Sequence, residues 1–485
     1  MHPSPPAPKR VVVVGGGIAG LAAAHRLREA AANWPGPPPA VTLVDAAPRL
    51  GGVVETAHRG GFLVEGGPDA FVTEKPWGLA LCRRLGLEGA LLRTNDTHRR
   101  VYVVRAGRLE VVPEGFVLLA PVRLLPFLAT PIFSWRGKLR MMMEPFIAAR
   151  EGDADESLGA FVRRRMGREA LERLVEPMVA GIYTADPESL SLKATFPRFL
   201  EMEREYGSVT RGLRARARAA RRAAAPAAEG SATGARYSLF VTLAGGMQTL
   251  VDALVARLGP VTLRLGCAVE AVEPGGPEAP WRVRTAAGDA LPADAVCLAL
   301  PAHAAARLLR GVDPSLGDLL DGIPYASTAV LNAAYRREDV PHPLDGFGFV
   351  SPWVERREIV GCTFSSVKFA GRAPEGCVLL RAFVGGARRP DLAERDDAAM
   401  AASVRREFRA LLGIEAPPLW TSIRRWPRSL AQFPVGHPDR LAALAERLRR
   451  HPGLALAGNG YTGGGVPDSI HSGERAAESI LGAAR

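Results

Sequence analysis

Val11-Val12-Val13-Val14-Gly15-Gly16-Gly17-Ile18-Ala19-Gly20 stands near the start of this 485-residue sequence, and its reading decides the fold. Four β-branched residues in a row suit a strand buried on both faces of a parallel sheet. The glycines that follow fit G-x-G-x-x-G, and the Ala/Leu-rich run 18–30 predicts a helix. A loop rich in Pro and Gly spans 33–39, and a second strand over 41–44 ends in Asp45. Each part has a physical task. Gly15 permits the tight turn, Gly17 lets backbone approach a pyrophosphate, and Gly20 lets the helix pack closely. The free N–H groups around Gly16, Ile18 and Ala19, with the helix dipole, favour phosphate. Asp45 stands where an adenosine ribose is held by hydrogen bonds to its hydroxyls. The spacing predicts a Rossmann-type dinucleotide site.

Bulk composition narrows the rest. With 47% hydrophobic residues over 485 positions, two or three domains are expected. The formal net charge is +12, yet only five of the 62 basic residues are lysine (Lys9, Lys75, Lys138, Lys193, Lys368). So strong an arginine bias reads as genome composition. A basic surface still favours anionic partners, an acidic membrane surface or a carboxylated substrate. No aromatic-rich basic motif accompanies the charge, so no nucleic acid is expected. Five cysteines, odd in number and without a C-x-x-C pair, fit thiols in a reducing compartment. Nine scattered histidines show no metal-ligand spacing, and no metal is expected. The Gly-rich centre of the first apolar run, with an acid beyond it, argues against a secretory leader. No uncharged stretch approaches the ~20 residues that cross a bilayer. The most lipid-like segment, 115–135, is broken by Pro121, Arg123, Pro126 and Pro131.

The far end of the chain repeats the strand, glycine loop, helix grammar: an apolar strand over 454–456, the loop AGNGYTGGGV over 457–466, and a helix over 467–484. After Asp45, the segment Ala46-Ala47-Pro48-Arg49-Leu50-Gly51-Gly52 resembles the second fingerprint of the amine-oxidase-like flavoproteins. The resemblance implies non-covalent FAD, its phosphates held by Arg49 and the backbone of Gly51 and Gly52, with Ala46 close by. Glu65-Gly66-Gly67-Pro68-Asp69, followed by Ala70, is similar to the segment that passes the flavin ring in that superfamily, making Gly67, Pro68, Asp69 and Ala70 candidate contacts. By the same resemblance Val269 contacts the adenine through its backbone, and Trp426 lies near the flavin. Gly464, Gly465 and Val466 lead into a helix whose N-terminus can face the flavin N1–O2 edge. The implied fold is α/β (α+β). It combines a discontinuous Rossmann-type FAD-binding domain (1–95 with 236–300 and 418–485) with a helical subdomain open to membrane or substrate (96–210). A basic linker (211–235), read as a solvated helix and a flexible tether, and a mixed-sheet substrate domain (301–417) complete it.

Glu176-Pro177-Met178-Val179-Ala180-Gly181-Ile182-Tyr183-Thr184-Ala185-Asp186-Pro187 and Leu190-Ser191-Leu192 resemble the signature of the protoporphyrinogen oxidase family, as does Gly460 to Ile470. That resemblance covers nearly the whole chain. It implies oxidation of protoporphyrinogen IX to protoporphyrin IX in haem biosynthesis, by three hydride transfers to FAD, with dioxygen reduced to hydrogen peroxide. Such chemistry asks for orientation and dry walls rather than for acid and base side chains, and no Ser/His/Asp set or paired carboxylates stand out. It also asks for a cation on the substrate propionates. Arg99 and Arg100 are the candidates, although the family position counted back from Gly107 falls on Val101. Gly181 and Val350 are implied cavity contacts. The Leu, Phe and Trp of 113–140, flanked by Arg, suit a membrane interface or the lining of an apolar channel mouth, and a cytoplasmic enzyme held peripherally on the inner face of the cell membrane is expected. A homodimer is compatible with the resemblance. The alternatives are a coproporphyrinogen III oxidase of the same family, an amine oxidase (although the strand over 325–335 lacks the lysine many of those use), a carotenoid desaturase, and an idle flavin-binding partner.

Overall fold

The computed structural model of the chain describes residues 9–31, 37–117, 120, 121, 123–223 and 240–482. The Pro-rich residues 1–8, most of the 33–39 loop, the 224–235 part of the expected linker and the last three residues lie outside them.

The strand Arg10–Val14 pairs in parallel with Ala40–Val44 on one side and Ala295–Leu298 on the other. Thr262–Arg264 and Leu454–Leu456 extend this five-stranded sheet at its two edges. Segments more than 400 residues apart in sequence therefore share one sheet. Its valines explain the uninterrupted apolar run. Val11 and Val13 pack with Leu21 of the helix Ile18–Ala31 and Ile470 of the helix Val466–Gly482. Val12 and Val14 pack on the other face with Trp281 and Val283. A parallel strand covered on both sides has no polar face to alternate with.

A seven-stranded mixed sheet forms the second layer, in the order Trp420–Ala431, Tyr325–Arg336, Cys377–Gly385, Gly361–Phe364, Gly346–Val350, Arg100–Arg105, Arg108–Val111. Met400, Val404 and Phe408 of the helix Asp397–Leu412 cover one face. Three of its strands, Arg100–Arg105, Arg108–Val111 and Trp420–Ala431, come from beyond residues 301–417. Arg100–Arg105 leaves the helical stretch to pair in parallel with Gly346–Val350, and Trp420–Ala431 runs antiparallel along Tyr325–Arg336. Sheet membership follows from which backbone edge is free to be paired, and local composition does not encode that.

The helical region packs Leu158–Arg165, Glu176–Tyr183 and Pro197–Tyr206 around Phe161, Val179 and Phe199. A π-helical turn, Leu171–Val175, precedes Glu176–Tyr183. Pro177 has no N–H for the carbonyl one turn back, so the ladder is already interrupted there. The basic run begins as the helix Val209–Ala223. Among the described residues no helix is long and apolar enough to cross a membrane.

Candidate active site

The cradle is built where the parallel strands end. Gly15 has φ +105°, and a Cβ there would overlap the carbonyl oxygen of Ala299. A Cβ on Gly20 would overlap the Gly15 carbonyl oxygen, so the helix is seated directly on the loop before it. Gly17 is the open position, with only the Cα of Gly52 near its Cβ site, at 3.9 Å. Ile18 and Ala19 are buried in the helix's first turn. The segment Arg49–Gly52 lies across this loop, with Gly51 N donating to Gly16 O at 2.8 Å. Arg49 donates to the carbonyls of Val54 at 3.0 Å and Gly52 at 2.5 Å, bracing its own loop. Asp45 braces too: its carboxylate accepts from Gly16 N at 2.5 Å and Ala47 N at 2.6 Å. A carboxylate has about four lone-pair sites, so ribose hydroxyls can still be taken. Ala46 is exposed beside it. Cys267 N donates to Asp45 O at 2.9 Å, which sets the strand that begins at Val269 close to Asp45.

In the loop after Phe62–Glu65, the carbonyl of Gly66 accepts from Trp426 Nε1 at 2.7 Å, and the carbonyl of Gly67 accepts from the Arg381 guanidinium. A Cβ on Gly67 would overlap Val53 O, so the strand-following loop admits no side chain there. Pro68, Asp69 and Ala70 are half-buried. Burial alone would raise the Asp69 carboxyl. Lys368 Nζ at 2.9 Å and Arg381 at 3.7 Å overcome that and hold it at about 2. The loop before the last helix offers Gly464, whose Cβ site meets nothing within 4 Å, then Gly465 and Val466. Asp468, in the helix's first turn, accepts from Gly465 N at 3.1 Å and from Lys75 Nζ at 2.6 Å. The helix terminus therefore carries a buried carboxylate neutralised by Lys75, which the dipole expectation did not include.

On the substrate side, Gly181 and Val350 come together: a Cβ on Gly181 would sit 3.5 Å from Val350 Cγ1. Arg100 does not join them. Along Arg100–Arg105, Tyr102 and Val104 face the helix Asp397–Leu412, while Val101 and Val103 face the helical region that holds Gly181. Side chains alternate along a strand. Arg100 is therefore on the far face, exposed and paired with Asp345. Arg99, just before the strand, is paired with Asp96. On the face toward the cradle, Asn332 donates to Glu65 O at 3.2 Å, and its register partner on the next strand is Arg381.

Residues 18–481 match the model of the flavin containing amine oxidoreductases. The chain belongs to that family. It is 36% identical to the coproporphyrinogen III oxidase of Propionibacterium freudenreichii, over 98% of this chain and 91% of that protein. It is 34% identical to the coproporphyrinogen III oxidase of Bacillus subtilis, over 98% of both. A crystal structure from Exiguobacterium sp. 255-15, provisionally assigned as a protoporphyrinogen oxidase, superposes with a TM-score of 0.84 at 29% identity, covering 98% of this chain and 99% of that one. Within the family this chain is a flavin-dependent oxidoreductase of the porphyrinogen oxidase group, and its cofactor is FAD. The residues fit the cofactor. Backbone stands where Cβ atoms would be at Gly15, Gly20 and Gly67, while Gly17 and Gly464 leave open surface.

For this flavoprotein the sequence motifs did not single out Lys75, which pairs with Asp468, or Lys368, Arg372 and Arg381, which stand about the 65–69 loop. Rarity was the available signal, since two of only five lysines pair with carboxylates here. Glu176, at the start of the Gly181 helix, is a further unanticipated group. Burial pushes its carboxyl up to about 7, although Trp353 N donates to it at 3.0 Å and Arg388 stands 3.6 Å away. A carboxyl raised in the folded state stabilises below its ordinary value of 4.5 and loses that contribution as pH rises through about 7. Glu176→Gln is therefore expected to flatten the fall in thermal midpoint across that window. A variant with the wild-type slope would contradict this.

Proposed function

We propose that this chain oxidises coproporphyrinogen III to coproporphyrin III, with protoporphyrinogen IX as the second reading. One observation carries an oxidase of a large flexible macrocycle. The seven-stranded sheet pins the 65–69 loop, which this reading assigns to the flavin ring, through Trp426 and Arg381, and its Val350 meets the Gly181 helix. Bound FAD supplies a two-electron acceptor. The protein's share is orientation and exclusion of water, and among the described residues no group of three or more His, Cys, Asp or Glu could hold a metal. Coproporphyrinogen is placed first because the relatives at 36% and 34% identity bear that name. Its four carboxylates, against two, also respond more strongly to a chain of net charge +12. Dioxygen is the proposed final acceptor.

Each reduced macrocycle, added in air to the purified yellow protein, tests the reading through the growth of a Soret band over a protein-free blank. Coproporphyrinogen is expected to be the faster. A faster protoporphyrinogen rate selects the second reading, and no gain over the blank with either removes both.

The proposal includes a cytoplasmic enzyme held peripherally on an acidic membrane. Leu125, Trp135 and Phe146 are 80%, 72% and 82% exposed, with Leu139 and Met143 also exposed and Arg136 among them. Isolated large apolar side chains are common on surfaces, but five exposed within one stretch, 125–146, suit a contact face. Liposomes containing acidic lipid are expected to float the protein. Leu125→Ser with Phe146→Ser is expected to weaken partitioning by roughly tenfold or more, since each buried side chain is worth about 1.5–3 kcal/mol. Protein that stays in the dense fraction refutes the membrane claim.

A further inference from the structure

Five ionisable side chains surround the 65–69 loop: Glu65, Asp69, Lys368, Arg372 and Arg381. All are substantially buried, with Glu65, Arg372 and Arg381 only 4%, 2% and 3% exposed and the side chains of Lys368 and Asp69 at 13% and 21%. Three are cations and two are carboxyls. Lys368 and Arg381 share Asp69. Arg372 spends its hydrogen bonds on neutral acceptors, namely the carbonyls of Ala244 at 3.1 Å and Leu243 at 2.9 Å and the Thr242 hydroxyl at 3.1 Å. Glu65 takes its hydrogen bonds from Met247 N at 2.9 Å and Thr56 Oγ1 at 2.7 Å rather than from a cation, and burial raises its carboxyl against the pull of Arg381 and Arg372. The group therefore holds at least one positive charge more than its carboxylates neutralise.

That excess is buried, which is costly unless something answers it. The polar atoms left without a hydrogen bond can be named. Nε and Nη1 of Arg381 have no hydrogen-bond partner, Nη1 only facing Asp69 at ion-pair distance, 3.7 Å, and the acceptor Oδ1 of Asn332, directly across the strand pair, has none either. Buried polar atoms left unpaired call for a ligand or water that completes them. The third nitrogen of the same guanidinium holds Gly67 O, in the loop that carries the cofactor's ring end. Uptake of a hydride by a bound flavin brings two electrons and one proton, so it adds one negative charge to the ring. A fixed cation already in a low-dielectric wall stabilises that charge without having to reorganise.

We propose that Arg381, a member of this net-positive buried group, is a charge-compensating residue for the two-electron-reduced flavin, and that it raises the reduction potential of the bound cofactor. The inference rests on the ring-end placement of the 65–69 loop in the porphyrinogen oxidase reading. A merely structural Arg381, pinning the Gly67 carbonyl, would alter affinity for oxidised and reduced FAD alike and leave the potential where it was.

The test is the two-electron midpoint potential of the FAD-loaded protein, measured with a chemical reductant and reference dyes. In Arg381→Met, binding of reduced FAD relative to oxidised FAD is expected to weaken about tenfold, a fall of about 30 mV for a two-electron couple. Arg381→Lys is expected to restore most of it, and Asp69→Asn to move the potential upward. If Arg381→Met does not retain FAD, Lys368→Met removes a second cation of the group and is expected to lower the potential in the same way. A potential unchanged in whichever of these two holds FAD overturns the proposal. Because the reductant is chemical, a protein that turns over no porphyrinogen would remove the substrate reading and leave this measurement intact.

Discussion

Gly20→Val is expected to yield a folded but colourless protein, with affinity for FAD reduced by roughly 100-fold or more, about 2.8 kcal/mol. The reason is backbone against backbone. The Cβ of any side chain at Gly20 would overlap the Gly15 carbonyl oxygen and stand 3.2 Å from Ala299 Cβ. No rotamer relieves that contact, because the obstacle is not a side chain. Gly15 cannot retreat either, since its own Cβ site is filled by the Ala299 carbonyl and its φ of +105° suits only glycine. The helix Ile18–Ala31 must then move off the loop, carrying away the N–H groups that face the phosphates. Gly311→Ala is the matched control, because nothing lies within 4 Å of its Cβ site. The ratio of flavin to protein absorbance and a calorimetric FAD titration check the outcome. A Gly20→Val protein that purifies yellow with wild-type affinity would show that the cradle lies elsewhere.

Arg165→Leu is expected to cost about 3–5 kcal/mol of stability, the usual penalty for leaving one member of a buried ion pair behind. Arg165 and Glu144 are both 0% exposed, in the helical region. The guanidinium donates to Glu144 at 2.9 Å, to the carbonyls of Ile147 at 2.7 Å and Gly207 at 2.9 Å, and to Glu203 at 3.3 Å. Burial pushes Glu144 up, yet donation from Ser208, Thr210 and Arg165 brings its carboxyl below the ordinary 4.5. A carboxyl lowered in the folded state stabilises above its ordinary value, and that contribution is lost as pH falls through the lower one. Without Arg165 the sign should reverse, because a buried carboxylate without its cation favours the proton. The variant is then expected to gain stability relative to wild type as pH falls. Glu144→Leu added to Arg165→Leu should recover part of the loss, since the stranded charge is gone. Denaturant unfolding at neutral and acidic pH measures all three. A single variant within 1 kcal/mol of wild type would show that the pair is not the keystone of this region.

The sequence by itself determined the parts whose physics is local. The β-branched run at Val11 to Val14, the glycines at 15, 17 and 20 and the acid at 45 occur within one supersecondary unit. Steric demand and periodicity write such a unit directly into residue type. The strand over 454–456 and the loop and helix after it were legible for the same reason, and the structure places that strand at Leu454–Leu456 and the helix at Val466–Gly482.

Only the tertiary structure decided the rest. Arg100 and Val101 are adjacent in sequence, and either could have faced the helical region that holds Gly181. Pairing of Arg100–Arg105 with Gly346–Val350 fixed which one does, because a shift of one residue exchanges the faces. Arg381 is one basic residue among 62, and nothing in its local sequence separates it from the others. What separates it is a sheet register opposite Asn332, burial to 3% and a bond to a loop 314 residues away. Charge acquires its meaning from desolvation and from neighbours, and both are properties of the fold rather than of the chain.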